Sequence, residues 1–145
     1  MCIRFAGKPD LVDTVVICHP GKFTTKDVKK IKIPNSWVCS EGKDFQHGCF
    51  FLTLIADDTF FPAALRDKCE AEFVSRRDKE SFVEYEFKEY KGSFLSLYSF
   101  VLFSLKLSGT AHGFALRPNL DIPEIKAAFE GALEQTVDWF KKTLI

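Results

Sequence analysis

The stretch Thr14-Val15-Val16-Ile17-Cys18-His19-Pro20-Gly21 decides the fold. Its first five residues are apolar or β-branched and show no polar alternation, which reads as a strand buried on both faces. Pro20 and Gly21 end it, because proline cannot donate to a ladder and glycine frees the turn. A strand with two buried faces belongs in a parallel sheet with helices on either side.

The elements on the C-terminal side extend that reading. Lys26–Lys32 is rich in lysine and reads as a solvated loop. A second run, Ile31 to Cys39, ends in Ser36-Trp37-Val38-Cys39 and is again apolar on both sides. Pro62-Ala63-Ala64-Leu65 opens a helix to about Arg76, with proline in the first turn and Leu65, Cys69, Phe73 and Arg76 at helical spacing. Ser81–Phe87 alternates apolar and polar residues, as a half-exposed strand does. Lys88 and Glu89 beside it suit a sheet edge kept soluble by charge. After Asp121-Ile122, the span Pro123 to Leu144 reads as a long helix. Its stripe of Ile125, Phe129, Leu133, Thr136/Val137, Phe140 and Leu144 is expected to face the sheet.

Strand, strand, helix, strand, loop, long helix is the closing half of an α/β fold. The expectation is one partial domain over residues 1–145, with mainly parallel strands flanked by helices and a sheet incomplete at its N-terminal side. Such a sheet exposes an unpaired edge, a route to self-association. Two stretches, 42–55 and 93–108, depart from this order and read as insertions. The second is apolar but shorter than the roughly 20 residues a membrane span needs, and it contains Lys106.

Composition narrows the function classes. Twenty basic and twenty acidic residues balance to a formal charge of zero, so neither nucleic acid nor an anionic membrane is indicated as partner. Five cysteines without a C-x-x-C pair, and a start Met1-Cys2-Ile3-Arg4 without a basic-then-apolar leader, point to a reducing, cytoplasmic setting. Cys39, His47 and Cys49 lack a fourth ligand at zinc spacing, and Gly21-Lys22 lacks the upstream glycine of a phosphate loop. No metal or cofactor is expected.

Two places carry chemistry. Gly109-Thr110-Ala111-His112-Gly113-Phe114 sets a histidine among small residues just ahead of the last helix, where an imidazole can project and move a proton near neutral pH. A histidine in a loop is more often structural, and that reading stays open. Ala56-Asp57-Asp58-Thr59 places carboxylates after a buried strand and before a helix. Asp58 or Thr59 suits helix capping, which leaves Asp57 to orient a histidine. Asp44 is a rival acid. Acid before histidine matches the order nucleophile, acid, histidine of α/β-hydrolases.

Ala6-Gly7-Lys8-Pro9-Asp10-Leu11-Val12-Asp13, His19-Pro20, the Asp57 segment, Ala111-His112-Gly113-Phe114-Ala115-Leu116-Arg117 and the tail through Thr136-Val137-Asp138-Trp139-Phe140 together resemble the dienelactone hydrolase family. The resemblance covers nearly everything outside 42–55 and 93–108. It implies a hydrolase of small esters or lactones acting through a Cys-His-Asp triad, with His112 as the triad histidine and Asp57 as the acid. It also implies a nucleophile in a Gly-x-Cys-x-Gly turn ahead of Ala6, and no such turn occurs in the sequence. The expectation is therefore a half-triad in a chain truncated at its start, or a non-catalytic remnant. Removing 42–55 and most of 93–108 restores family-like text, as translated non-coding sequence would explain.

Overall fold

The computed structural model describes residues 2–18, 20–40, 61–90 and 114–144. In chain order the elements are α1 (Cys2–Phe5), β1 (Val15–Ile17), α2 (Thr25–Val28), β2 (Asn35–Ser40), α3 (Ala63–Val74), β3 (Tyr85–Tyr90) and α4 (Pro123–Thr143). The strands form one parallel sheet in the order β1-β2-β3, with Val15 opposite Asn35 and Asn35 opposite Tyr85. Parallel neighbours need crossover connections, and α2 and α3 lie in the two that join these strands. The α/β architecture of the sequence reading is present as a small parallel sheet with helices on both faces.

Central β2 is buried at all six positions, the consequence of a partner on each side and helices above and below. Side-chain alternation divides its residues between two cores. Trp37 and Cys39 join Val15, Ile17, Phe61, Cys69 and Phe73 on one face. Val38 joins Tyr90, Phe114, Ala128 and Ala132 on the other, under α4. Trp37 anchors the first core, stacked 5.1 Å from Phe87 and 5.4 Å from Phe61. Its indole N–H is satisfied by Asn35 Oδ1 at 2.6 Å, so a fully buried polar atom goes unpenalised.

Several boundaries move from those read in sequence. The second strand starts at Asn35 because Pro34 precedes it, although Ile31 and Ile33 are still buried in the core. Within the lysine-rich loop, Thr25–Val28 makes a helical turn whose start is fastened by the Asp27 carboxylate. That carboxylate accepts from the Thr24 N–H at 2.9 Å and from its hydroxyl at 2.8 Å. These bonds hold the Asp27 carboxyl below its usual value. The third strand runs Tyr85–Tyr90, later than the alternation of 81–87 suggests. Its exposed Lys88 and Glu89 suit the sheet edge it occupies among the described residues.

The largest correction concerns α4. Its sheet-facing residues are Ile125, Ala128, Ala132, Gln135 and Trp139, not the bulky stripe. Of that stripe only Ile125 is buried; Leu133, Val137 and Leu144 are 56%, 41% and 57% exposed. Close approach explains the choice. A Cβ on Gly131 would lie 2.8 Å from the Tyr90 ring, so α4 presents small residues, Ala128, Gly131 and Ala132, where it crosses Tyr90. Polar side chains then finish the contact. Gln135 Nε2 donates to Ser36 Oγ at 2.8 Å and to the Trp37 carbonyl at 3.3 Å. Trp139 Nε1–H donates to Thr14 Oγ1 at 2.8 Å, and Thr14 in turn donates to the Pro34 carbonyl at 3.2 Å.

Candidate active-site edge

In open α/β sheets, ligands bind beyond the carboxyl ends of the strands. Here β2 and β3 end level, with Ser40 opposite Tyr90. Both chains leave the sheet at the same edge, into residues 41–60 and 91–113. Asp57, its rival Asp44, His112, His47 and Cys49 all fall in those two spans, outside the described residues, and His19 is likewise outside them. Where Asp57 and His112 sit relative to each other is therefore not part of the described geometry.

What frames the two spans is described. The chain re-enters at Phe61, 2% exposed, its ring 5.4 Å from both Trp37 and Phe23. It re-enters a second time at Phe114, 5% exposed and 5.7 Å from the Tyr90 ring. Each span is thus tied by a buried aromatic to the strand it left. Phe114 is the phenylalanine of the His-Gly-Phe motif, two residues after His112.

Arg66 of α3 is a residue that the sequence reading passed over. Its guanidinium donates to the Ser40 carbonyl at 3.0 Å and approaches Glu89 at 3.4 Å, bridging the ends of β2 and β3. In Ala64-Leu65-Arg66-Asp67-Lys68 nothing separates it from an ordinary solvated helix residue, so no local signal reveals it. Helix α3 itself begins after Pro62, which is its N-cap. Asp58 and Thr59, which the sequence offered as capping residues, lie outside the described residues.

Burial disfavours the thiolate at Cys18 and Cys69. The thiolate is the reactive form, and burial opposes it. Burial pushes the Cys69 thiol up to about 12. Cys18, just past β1, is also raised, chiefly by burial, with a hydrogen bond to Thr136 opposing the shift. Cys39 is 1% exposed inside the first core, and Cys2 is exposed on α1. Among the described residues no group of three histidine, cysteine or acidic side chains could hold a metal ion, and no helix is long and apolar enough to cross a membrane.

Comparison with protein-family models, with characterised proteins and with solved structures finds no match for the chain.

Proposed function

We propose that this chain forms the closing part of a dienelactone-hydrolase-like α/β-hydrolase, acting on ester or lactone bonds, with His112 as the triad histidine and Asp57 as the acid. The observation that carries the reading is the level ending of parallel β2 and β3 at Ser40 and Tyr90. The acid-bearing span follows the first strand and the histidine-bearing span follows its neighbour, the arrangement a shared active-site rim requires. Asp57 precedes buried Phe61 by four residues and His112 precedes buried Phe114 by two, and an extended chain covers at most about 3.6 Å per residue.

In this reading a cysteine thiolate attacks the carbonyl carbon, and backbone amides at its turn hold the oxyanion. The acyl–oxygen bond breaks and the leaving alkoxide takes a proton from the His112 imidazolium, which Asp57 stabilises. Water, deprotonated by the imidazole, then attacks the acyl carbon, and the carbon–sulfur bond breaks to release the acid and restore the thiolate–imidazolium pair. The Gly-x-Cys-x-Gly turn this needs is not in the sequence, and burial disfavours the thiolates of Cys18 and Cys69. These 145 residues alone should leave p-nitrophenyl acetate at its buffer rate. A chain extended by a strand, a Gly-x-Cys-x-Gly turn and its helix should hydrolyse it, and His112→Ala in that chain should lower kcat by about 10³-fold or more. An unchanged rate would discard the assignment.

We also propose a second reading, a non-catalytic chain that self-associates in a reducing, cytoplasmic setting, and β1 supports it. Strand β1 is hydrogen-bonded to a strand on one side only among the described residues. Its Val15 and Ile17 carry no edge charge, whereas β3 carries Lys88 and Glu89. Sedimentation equilibrium that gives a monomer at all concentrations tested would remove this reading.

A further inference from the structure

A cleft of about 500 Å³ lies at the opposite end of the strands from the candidate edge. Its walls are the segment before β2, the end of α3 and the segment before β3, so it opens beside the starts of β2 and β3. Its volume falls in the range of small-molecule sites, about 300–1,000 Å³. We propose that this cleft binds an amphiphilic organic anion, a compact anionic head on an apolar body, with Lys32 and Lys79 holding the head and Phe82 the body.

The wall is fixed before any ligand arrives. Arg76, only 6% exposed, donates to the carbonyls of Ile31 at 2.9 Å and Val28 at 3.2 Å, and to Glu72 at 3.1 Å. It therefore clamps α3 to the segment leading into β2. Glu72 is committed to Arg76 and, at 3.8 Å, to Lys29, so its charge is balanced within the wall. That leaves Lys32 and Lys79 on the rim against Glu80, a net positive charge. Both lysines are exposed and neither has an ion-pair partner among the described residues. Phe82, 44% exposed, gives the lining an uncovered ring, with half-buried Val83 and buried Ile31 alongside. Cations beside an apolar surface in one concavity match a ligand with a charged end and a greasy end. The single rim carboxylate repels an anionic head less than the two lysines attract it.

The test is calorimetric titration of the full chain with phenyl phosphate, with inorganic phosphate and benzyl alcohol as half-ligands. Phenyl phosphate should bind with one-to-one saturation, more tightly than either half. Lys32→Ala and Lys79→Ala should each weaken it by about fivefold, the reach of an exposed ion pair. Phe82→Ser should weaken phenyl phosphate but leave inorganic phosphate unchanged. Lys142→Ala, on α4, should change nothing. Circular dichroism of each variant should match the parent, since all these side chains are exposed. Absence of saturable binding, or binding indifferent to Lys32, Lys79 and Phe82, would overturn the proposal. Ester hydrolysis at the other end of the strands plays no part in either result.

Discussion

At the scale of single residues, Gly131 and Tyr90 are matched to each other. Alanine at 131 would gain helix propensity of about 1 kcal/mol. It would also drive a methyl to 2.8 Å from a ring that is 8% exposed and anchored, its hydroxyl donating to the Gly131 carbonyl at 2.6 Å with Gln135 Oε1 at 2.9 Å. Overpacking of this kind costs about 1–3 kcal/mol, so Gly131→Ala should lose about 1 kcal/mol net in urea unfolding. Tyr90 also gives a pH signature. Burial, then the nearby carboxylates of Glu86 and Glu134, raise its hydroxyl to about 12 from an ordinary value of 10. A raised folded value means the contribution is complete below pH 10 and is lost as pH climbs from 10 toward about 12. Tyr90→Phe should cost about 1 kcal/mol at pH 7 for its lost hydrogen bond, yet lose less than the parent between pH 7 and 11. Parallel alkaline losses in both proteins would exonerate Tyr90.

At the scale of elements, α4 teaches which kinds of sequence signal hold. Its length and position were legible, since Pro123 marks the first turn and apolar spacing persists to Phe140. Its buried face was not, because hydrophobicity was read as burial, whereas tight contact with a sheet selects small side chains first. The consequence is measurable. Ala132→Leu should destabilise by about 1–3 kcal/mol, while Leu133→Ser should stay within about 0.5 kcal/mol. Reversed costs would restore the bulky stripe as the buried one. The strands were legible from the lack of alternation in 14–18 and 36–39, a pattern that follows directly from two covered faces. Arg66 and Gln135 were not, because a polar helix residue acquires its role only from strand ends and carbonyls distant in sequence. The candidate site was legible only as a motif, the His112 and Asp57 segments, without the geometry that would join them.

At the scale of the whole molecule, the sheet is held from two sides by unlike means. One face is an aromatic core around Trp37; the other is α4, docked through small residues and hydrogen bonds. The Trp139–Thr14 bond secures only β1, the short outer strand. Trp139→Phe should therefore speed amide exchange in β1 more than in β3, which Tyr90 ties to α4 independently. Equal acceleration in both strands, read by hydrogen–deuterium exchange mass spectrometry, would show that the bond supports the sheet as a whole.

The same bond spans 125 positions of sequence, which constrains how the molecule comes into being. A nascent chain emerging from the ribosome must carry Thr14 without its indole donor until residue 139 has been added. Among the three described strands, β1 is thus the first to be made and among the last to be secured, and throughout that interval it depends on neighbours that can bind it too early.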